Sequence, residues 1–149
     1  MKFVFRLEAP LRLAHHAEEQ AKRALGQAMG ILDRHRTTLQ TLRDDLESET
    51  LAQSIPRSGQ IWIQGQNLFL EWTQGQKRKI STAIEAIREA EARVEEARVQ
   101  LVEKRRAVEV FERLKQRRHA QWKLELSRKE LAESSDMAGR RWMAQRRTV

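Results

Sequence analysis

The sequence lacks cysteine and tyrosine and is poor in proline, glycine and aromatic residues. Its 149 residues include two Pro and six Gly, and only 5% are aromatic. The absence of Cys excludes disulfides, thiol catalysis and cysteine-based zinc sites. With 40% apolar and 34% charged residues, the composition is thin for a globular core but suits long helices that each bury one narrow stripe.

Long apolar runs and catalytic motifs are also missing. No run approaches the ~20 residues that cross a bilayer, and residues 1–6 become charged too soon for a signal peptide. We therefore expect a soluble cytoplasmic protein. The sequence has no Gly-rich phosphate loop, no HExxH motif and no recognisable nucleophile grouping. It therefore predicts no enzyme, with neither catalytic residues nor a cofactor.

Residues 80–122 repeat apolar side chains in alternating steps of three and four. Ten of the thirteen stepped positions are apolar, and the segment contains no Gly and no Pro. A 3.5-residue period of this length indicates a coiled-coil seam. The positions are Ile80, Ala83, Ile87, Ala90, Val94, Ala97, Leu101, Lys104, Val108, Phe111, Lys115, Arg118 and Trp122.

A second stripe in the first third of the chain supplies the partner for this seam. Nine of its eleven positions are apolar: Leu11, Ala14, Glu18, Ala21, Leu25, Ala28, Leu32, His35, Leu39, Leu42 and Leu46. Gly26 and Gly30 each weaken the helix by about 1 kcal/mol relative to Ala. Their small size is expected to let the two helices approach closely.

The two stripes predict an all-α fold, a long antiparallel two-helix coiled-coil hairpin with the C-terminal helix longer. Pro10 suits a first helical turn, and Pro56 with Gly59 marks a turn. We place helix one at about 9–53, the turn at about 54–66 and helix two at about 67–138, followed by a basic tail to residue 149. Residues 1–149 are expected to form a single domain, with residues 7–11 beside 111–114 and everything after about Trp122 overhanging.

Nearly all the excess positive charge lies in the last third of the chain. Residues 103–149 carry fourteen Lys or Arg and seven Asp or Glu, which is +7 of the total +8. An acidic or polyanionic partner would meet this end. Three interpretations stay open for the tail: nucleic-acid binding with stacking Trp residues, an amphipathic membrane-surface helix, or a solvated face. The interleaved acidic residues make nucleic acid the less favoured partner.

Two further features have both a functional and an ordinary interpretation. Trp62, Leu68, Phe69 and Trp72 near the turn cannot all be covered by a two-helix tip, so they form either a contact site or a small cap. His15 and Glu19, four residues apart, could offer half a metal site, but solvated side chains are the better interpretation, and no metal is expected.

Apolar flank residues leave weak self-association open: Leu13, Ile31, Ile84 and Leu114.

Residues 3–8 (FVFRLE), the layout of two heptad runs, and residues 103–106 (EKRR) followed by 111–115 (FERLK) resemble the FliJ family of flagellar type III export proteins. The resemblance covers nearly the whole chain. It implies a non-enzymatic protein similar to the central stalk of rotary ATPases. Such a protein inserts the paired ends of its hairpin into the hexameric export ATPase and promotes ring assembly and activity. On the residues alone, flagellar and injectisome versions both remain open.

The resemblance also implies partners, a location and contact residues. The partners are the hexameric ATPase, the export gate (an FlhA-type membrane protein) and export chaperones. The location is the cytoplasm, peripheral at the inner membrane through the export apparatus. The implied ATPase-ring contacts are Phe5, Arg6, Leu11, Arg12, Arg113, Arg117, Arg118 and Trp122. The implied export-gate contacts are Leu42, Leu46, Leu68 and Trp72.

Overall fold

Two long helices make up nearly all of the described structure. The computed structural model describes residues 1–54 and 60–148, with side chains described for 1–54 and 62–148. Helix α1 spans Glu8–Gln53 (46 residues) and helix α2 spans Gln60–Arg147 (88 residues). No β-strand occurs in these two ranges. The predicted all-α class and the longer C-terminal helix are confirmed.

Local hydrogen bonds fix where α1 begins and ends. The Leu11 N–H donates to the Leu7 carbonyl over 3.0 Å. Pro10 lies in the first turn, where its missing N–H costs no intrahelical hydrogen bond. At the other end, the Ser54 hydroxyl donates to the Leu51 carbonyl over 2.6 Å. This bond satisfies a carbonyl that the end of a helix leaves without a partner.

Contacts divide the chain into two units, which we describe separately. The terminal unit comprises residues 1–18 and 104–149, and the central unit comprises residues 19–103. Each unit contains part of α1 and part of α2. The expectation of a single domain stays a prediction.

In the central unit, α1 and α2 pack antiparallel around a small apolar core. Leu32, Ala90 and Val94 are buried, and half-buried Leu25, Ala28 and Ile87 pack against them. Arg36 and Glu91 approach within 3.4 Å beside this core. Ala21, Ala83 and Leu101 are also buried. Since several of these side chains are alanines, the core buries little apolar area per turn.

In the terminal unit, the start of α1 packs antiparallel against α2 by the same kind of seam. Phe5, Leu11 and Val108 are buried there. The antiparallel order is visible in two ion pairs, since Glu8 lies 2.8 Å from Lys115 and Glu18 lies 3.5 Å from Arg105. The expected pairing of residues 7–11 with the region of 111–114 is therefore confirmed to within a few residues.

The predicted seam positions account for most of the burial in the two helices. All eleven stepped positions of α1 are buried or half-buried, as are eleven of the thirteen in α2. The two exceptions, Lys104 and Arg118, are exposed. A charged side chain at a seam position keeps its head group in water, so these two positions interrupt the stripe of α2 without burying charge.

Helix α2 is longer at both ends than the sequence suggested. It begins at Gln60, whereas residues 60–66 were expected in the connector, and it extends to Arg147 instead of about 138. After Pro56 no residue forbids helix, and a single Gly65 or Gly139 costs only about 1 kcal/mol against many good helix formers. Residues 55–59 of the predicted turn lie outside the described residues. In the described ranges, neither helix has a stretch that is both long enough and apolar enough to span a bilayer.

The expectation that Gly26 and Gly30 permit close helix approach is wrong. A Cβ atom added at either position would meet nothing within 4 Å. Both glycines therefore weaken α1 without any packing gain.

We predict that Gly26→Ala and Gly30→Ala each raise the free energy of unfolding by about 0.5–1 kcal/mol, because Ala has the higher helix propensity. Urea unfolding followed by far-UV circular dichroism measures this. A loss of stability in either variant would show that the helices do approach closely there.

Candidate partner-binding surfaces

The first residues of the chain pack against α2 in the terminal unit. Phe3 and Phe5 alternate with Val4, as in an extended segment, and Phe5 is buried whereas Val4 is 76% exposed. The Phe3 ring lies edge-on to His119 at 5.0 Å between centroids, and 5.8 Å from Trp122. This segment is therefore attached to α2 through its two inward-facing aromatic rings.

Cations surround the buried ring of Phe5. The Lys115 ammonium lies 5.8 Å and the Arg118 guanidinium 6.0 Å from the ring centroid, near the outer limit of cation–π attraction. Arg118 itself is exposed. Phe5 therefore supports the position of cations that face solvent.

The eight residues implied for the ATPase ring divide by exposure. Phe5 and Leu11 are buried in the terminal unit, where they hold the helices in position. Trp122 is half-buried against Phe3 and His119. The five arginines are exposed: Arg6, Arg12, Arg113, Arg117 and Arg118. Whether any of them contacts a partner stays a prediction.

A shallow groove of about 650 Å³ opens beside these residues in the terminal unit. Its lining mixes an aromatic floor with charges of both signs: Phe3, Glu8, Leu11, Arg12, His15, Glu112, Lys115, Gln116 and His119. Because it is open to solvent, it does not exclude water as a catalytic pocket must. It can accept a side chain from another protein. The sequence analysis did not place Phe3 or His119 at a contact surface; the alternation of residues 3–5 was a signal for Phe3 alone.

The Glu8–Lys115 ion pair links the first turn of α1 to α2. The Lys115 ammonium donates to a Glu8 carboxylate oxygen over 2.8 Å, and both side chains are half-buried. This hydrogen bond lowers the pKa of Glu8, against a smaller opposing effect of desolvation. The charges of Lys115, Arg12 and His15 lower it further.

His15 contacts carboxylates other than the one considered for a metal pair. Its Nε2 lies 3.4 Å from Glu112 and its Nδ1 lies 4.0 Å from Glu18. Glu19 instead pairs with Lys22 over 3.2 Å. Residues 1–54 and 60–148 contain no cluster of three or more His, Asp or Glu with metal-binding geometry.

Charge is distributed very unequally between the two units. The terminal unit carries seventeen Lys or Arg and eight Asp or Glu, a net charge of +9. The central unit carries twelve and thirteen respectively, a net charge of −1. The terminal unit is therefore the part of the chain that attracts an acidic partner.

An aromatic and aliphatic patch covers residues 62–72 of the central unit. Trp62, Leu68 and Trp72 are exposed, as expected, and the Phe69 and Trp72 rings stack at 6.0 Å. Trp72 lines one groove of about 350 Å³ with Leu42 and another of about 380 Å³ with Leu68. Leu46 is half-buried on α1. The structure thus brings Leu42, Leu68 and Trp72 together, while their partner stays a prediction.

The seam next to this patch is polar, which the sequence analysis missed. Gln76 is buried at 5% exposure, and the buried Thr73 hydroxyl makes no hydrogen bond within the described structure. Continuing the alternating step backwards from Ile80 leads to both residues. A seam with buried polar groups holds its helices together less strongly than an apolar one.

Comparison with protein families relates this chain to a known family. A family model described as "Flagellar FliJ protein" matches residues 1–147. No curated protein and no solved structure matches the chain.

We predict that Glu8→Gln makes the stability of the protein less dependent on pH. The folded-state pKa of Glu8 is lowered, so its pairing stabilises the fold above the ordinary Glu value of about 4.3 and this stabilisation is lost as the pH falls through the lowered pKa. Thermal unfolding between pH 7 and pH 3 measures the difference.

Glu109→Gln is the control, because it leaves the Glu8–Lys115 pair in place. A wild-type protein whose stability followed the same pH curve as Glu8→Gln would contradict the assignment of this pair.

Proposed function

We propose that this chain, which belongs to the FliJ family of flagellar proteins, is a non-enzymatic stalk that binds and stimulates the hexameric flagellar export ATPase. Family membership makes the chain a component of flagellar protein export. The finer role is our inference from the terminal unit. The observation that carries it is the net charge of +9 on the unit that contains both chain ends.

The geometry of the terminal unit supports a stalk surface that presents cations. Phe5 and Leu11 are buried, so the paired helices are held together at this end, while arginines such as Arg113 and Arg117 face solvent. A ring lumen lined with acidic side chains would be electrostatically complementary to this surface. We expect Trp122, half-buried beside Phe3, to supply an apolar anchor within the cationic surface.

The central unit suits a second partner of different chemistry. Its patch of Trp62, Leu68 and Trp72 is apolar and exposed, and the unit has almost no net charge. We propose that Leu42, Leu46, Leu68 and Trp72 contact the export gate, and that export chaperones also bind this protein. These contacts would place it at the cytoplasmic side of the inner membrane through the export apparatus.

We predict that the protein raises ATP turnover and ring formation by the cognate export ATPase, and that reversing Arg113, Arg117 and Arg118 to Glu weakens both effects by tenfold or more. Each reversal replaces attraction to an acidic lumen with repulsion. ATP hydrolysis and analytical ultracentrifugation of the mixture measure turnover and ring formation.

The matched control reverses Arg88, Arg93 and Arg98, which are equally exposed but lie in the central unit. Both triple variants change the net charge equally, and both should keep the wild-type helical circular dichroism. Equal loss of stimulation in the two variants would refute the assignment to the terminal unit, and no stimulation by the wild type would refute the stalk.

We predict that Leu68→Ser with Trp72→Ser abolishes binding to the cytoplasmic domain of the gate protein while leaving ATPase stimulation unchanged. The substitutions remove apolar area that an interface would bury. Leu70→Ser is the control, since Leu70 is also exposed, at 57%, but points to another side of the helix. Gate binding that survives the double substitution would eliminate this surface.

A further inference from the structure

The end of α2 has no covering element in the described structure. Every side chain from residue 127 to residue 148 is exposed. This part of α2 therefore lacks the tertiary packing that supplies most of the stability of helices in proteins. The distribution of side chains around this C-terminal segment, residues 124–147, therefore shows what kind of surface could cover it.

The segment has a narrow apolar stripe. At about 100° per residue, Leu124, Leu131, Ala138 and Trp142 fall within an arc of roughly 40°. Leu124 is 61%, Leu131 71% and Trp142 53% exposed. More than half of each of these side chains is therefore accessible to a partner.

All acidic residues of the segment lie on the other side of the helix. Glu125, Glu130, Glu133 and Asp136 fall within an arc of roughly 140° that is centred opposite the stripe. The half of the helix around the stripe contains no acidic residue. Apart from Arg128, Arg141 and Arg146, the rest of that half holds only uncharged residues: Ser127, Ser134, Ser135, Gly139 and Gln145.

Arg128 and Arg146 flank the stripe on the acid-free half, and Arg141 lies near the opposite edge of that half. Arg128 follows Leu124 by four residues, and Arg146 follows Trp142 by four, so each lies beside an apolar side chain. The Arg146 guanidinium lies 4.1 Å from the centroid of the Trp142 ring. An indole with a guanidinium over its face combines an apolar body with a cationic edge.

We propose that this acid-free face binds the surface of an anionic lipid membrane, with the helix lying in the plane of the interface. Trp142 and the leucines would enter the boundary between headgroups and acyl chains, where tryptophan is favoured. Arg128 and Arg146 contact lipid phosphates, each with a favourable electrostatic contribution. The four acidic residues face water.

The composition of the face argues against two other occupants. A second copy packed through the same face brings arginine against arginine, because neither copy offers an acidic side chain there. A nucleic acid would use free aromatic faces for stacking, but Arg146 covers a face of Trp142, and Leu124 and Leu131 have no counterpart on a phosphate backbone. The proposal does not depend on the ATPase role.

Cosedimentation of the full-length protein with lipid vesicles tests this proposal. The vesicles are phosphatidylcholine with and without phosphatidylglycerol. We expect binding to the anionic vesicles and little binding to the neutral ones. For Arg128→Glu with Arg146→Glu, we expect the affinity to fall by about tenfold or more. Leu131→Ser with Trp142→Ser should also weaken binding.

The matched control is Lys129→Glu with Arg147→Glu. Both positions are exposed and lie about 100° further round the helix, and the change in net charge is the same as in the test variant. We expect a clearly smaller loss of affinity in this control.

Three outcomes would overturn the proposal. The first is a wild-type protein that does not bind anionic vesicles. The second is an equal loss in the two charge-reversal variants, which would indicate attraction through net charge alone. The third is tighter binding, by fluorescence anisotropy, to a single-stranded oligonucleotide than to anionic vesicles, which would assign the face to nucleic acid.

Discussion

Burial of one narrow stripe on each helix is the interaction on which the rest of this structure depends. A coiled-coil seam occupies about two of every seven positions, and the buried apolar residues of both units lie at such positions, apart from Phe5. The remaining positions do not pack in the seam. Because their side chains need not be apolar, the net charge can differ from one unit to the other. The terminal unit carries a net charge of +9 and the central unit one of −1, yet the helices of both units pack through the same kind of seam.

The composition of the seam sets how firmly the helices are held. Ala21, Ala83 and Ala90 are buried but contribute little apolar area, and Gln76 replaces an apolar residue altogether. In the terminal unit, additional contacts supplement the seam: the Phe5 ring is buried, and Glu8 pairs with Lys115. Ion pairs that remain this accessible to water contribute little individually, so the aromatic segment is the stronger supplement.

The sequence was sufficient to predict the helices, the seam and the antiparallel pairing, because a 3.5-residue apolar period is a local signal that indicates a coiled-coil seam. The bounds of α1 followed from Pro10 and from the end of the heptads. The sequence did not predict the start of α2 correctly. The alternation of residues 60–66 is compatible with a loop, but the cost of Gly65 is too small to prevent a helix there. Family resemblance alone did not separate contact residues from core residues. The α1 stripe already predicted the burial of Leu11, whereas Phe5 precedes the stripe, so periodicity gave no indication that it is buried.

The division between buried aromatics and exposed cations indicates how such a surface would recognise a partner. Solvated arginines gain little from single ion pairs, but their summed field attracts an acidic partner and raises the rate of encounter. Affinity and register must then come from side chains that lose water on binding, and in the terminal unit Trp122 is already half-buried and fixed by Phe3 and His119. Fixing a large ring before binding lowers the entropy lost in the complex. In the proposed interface, the buried Phe5 would hold the helices in place and the half-buried Trp122 would provide the anchor.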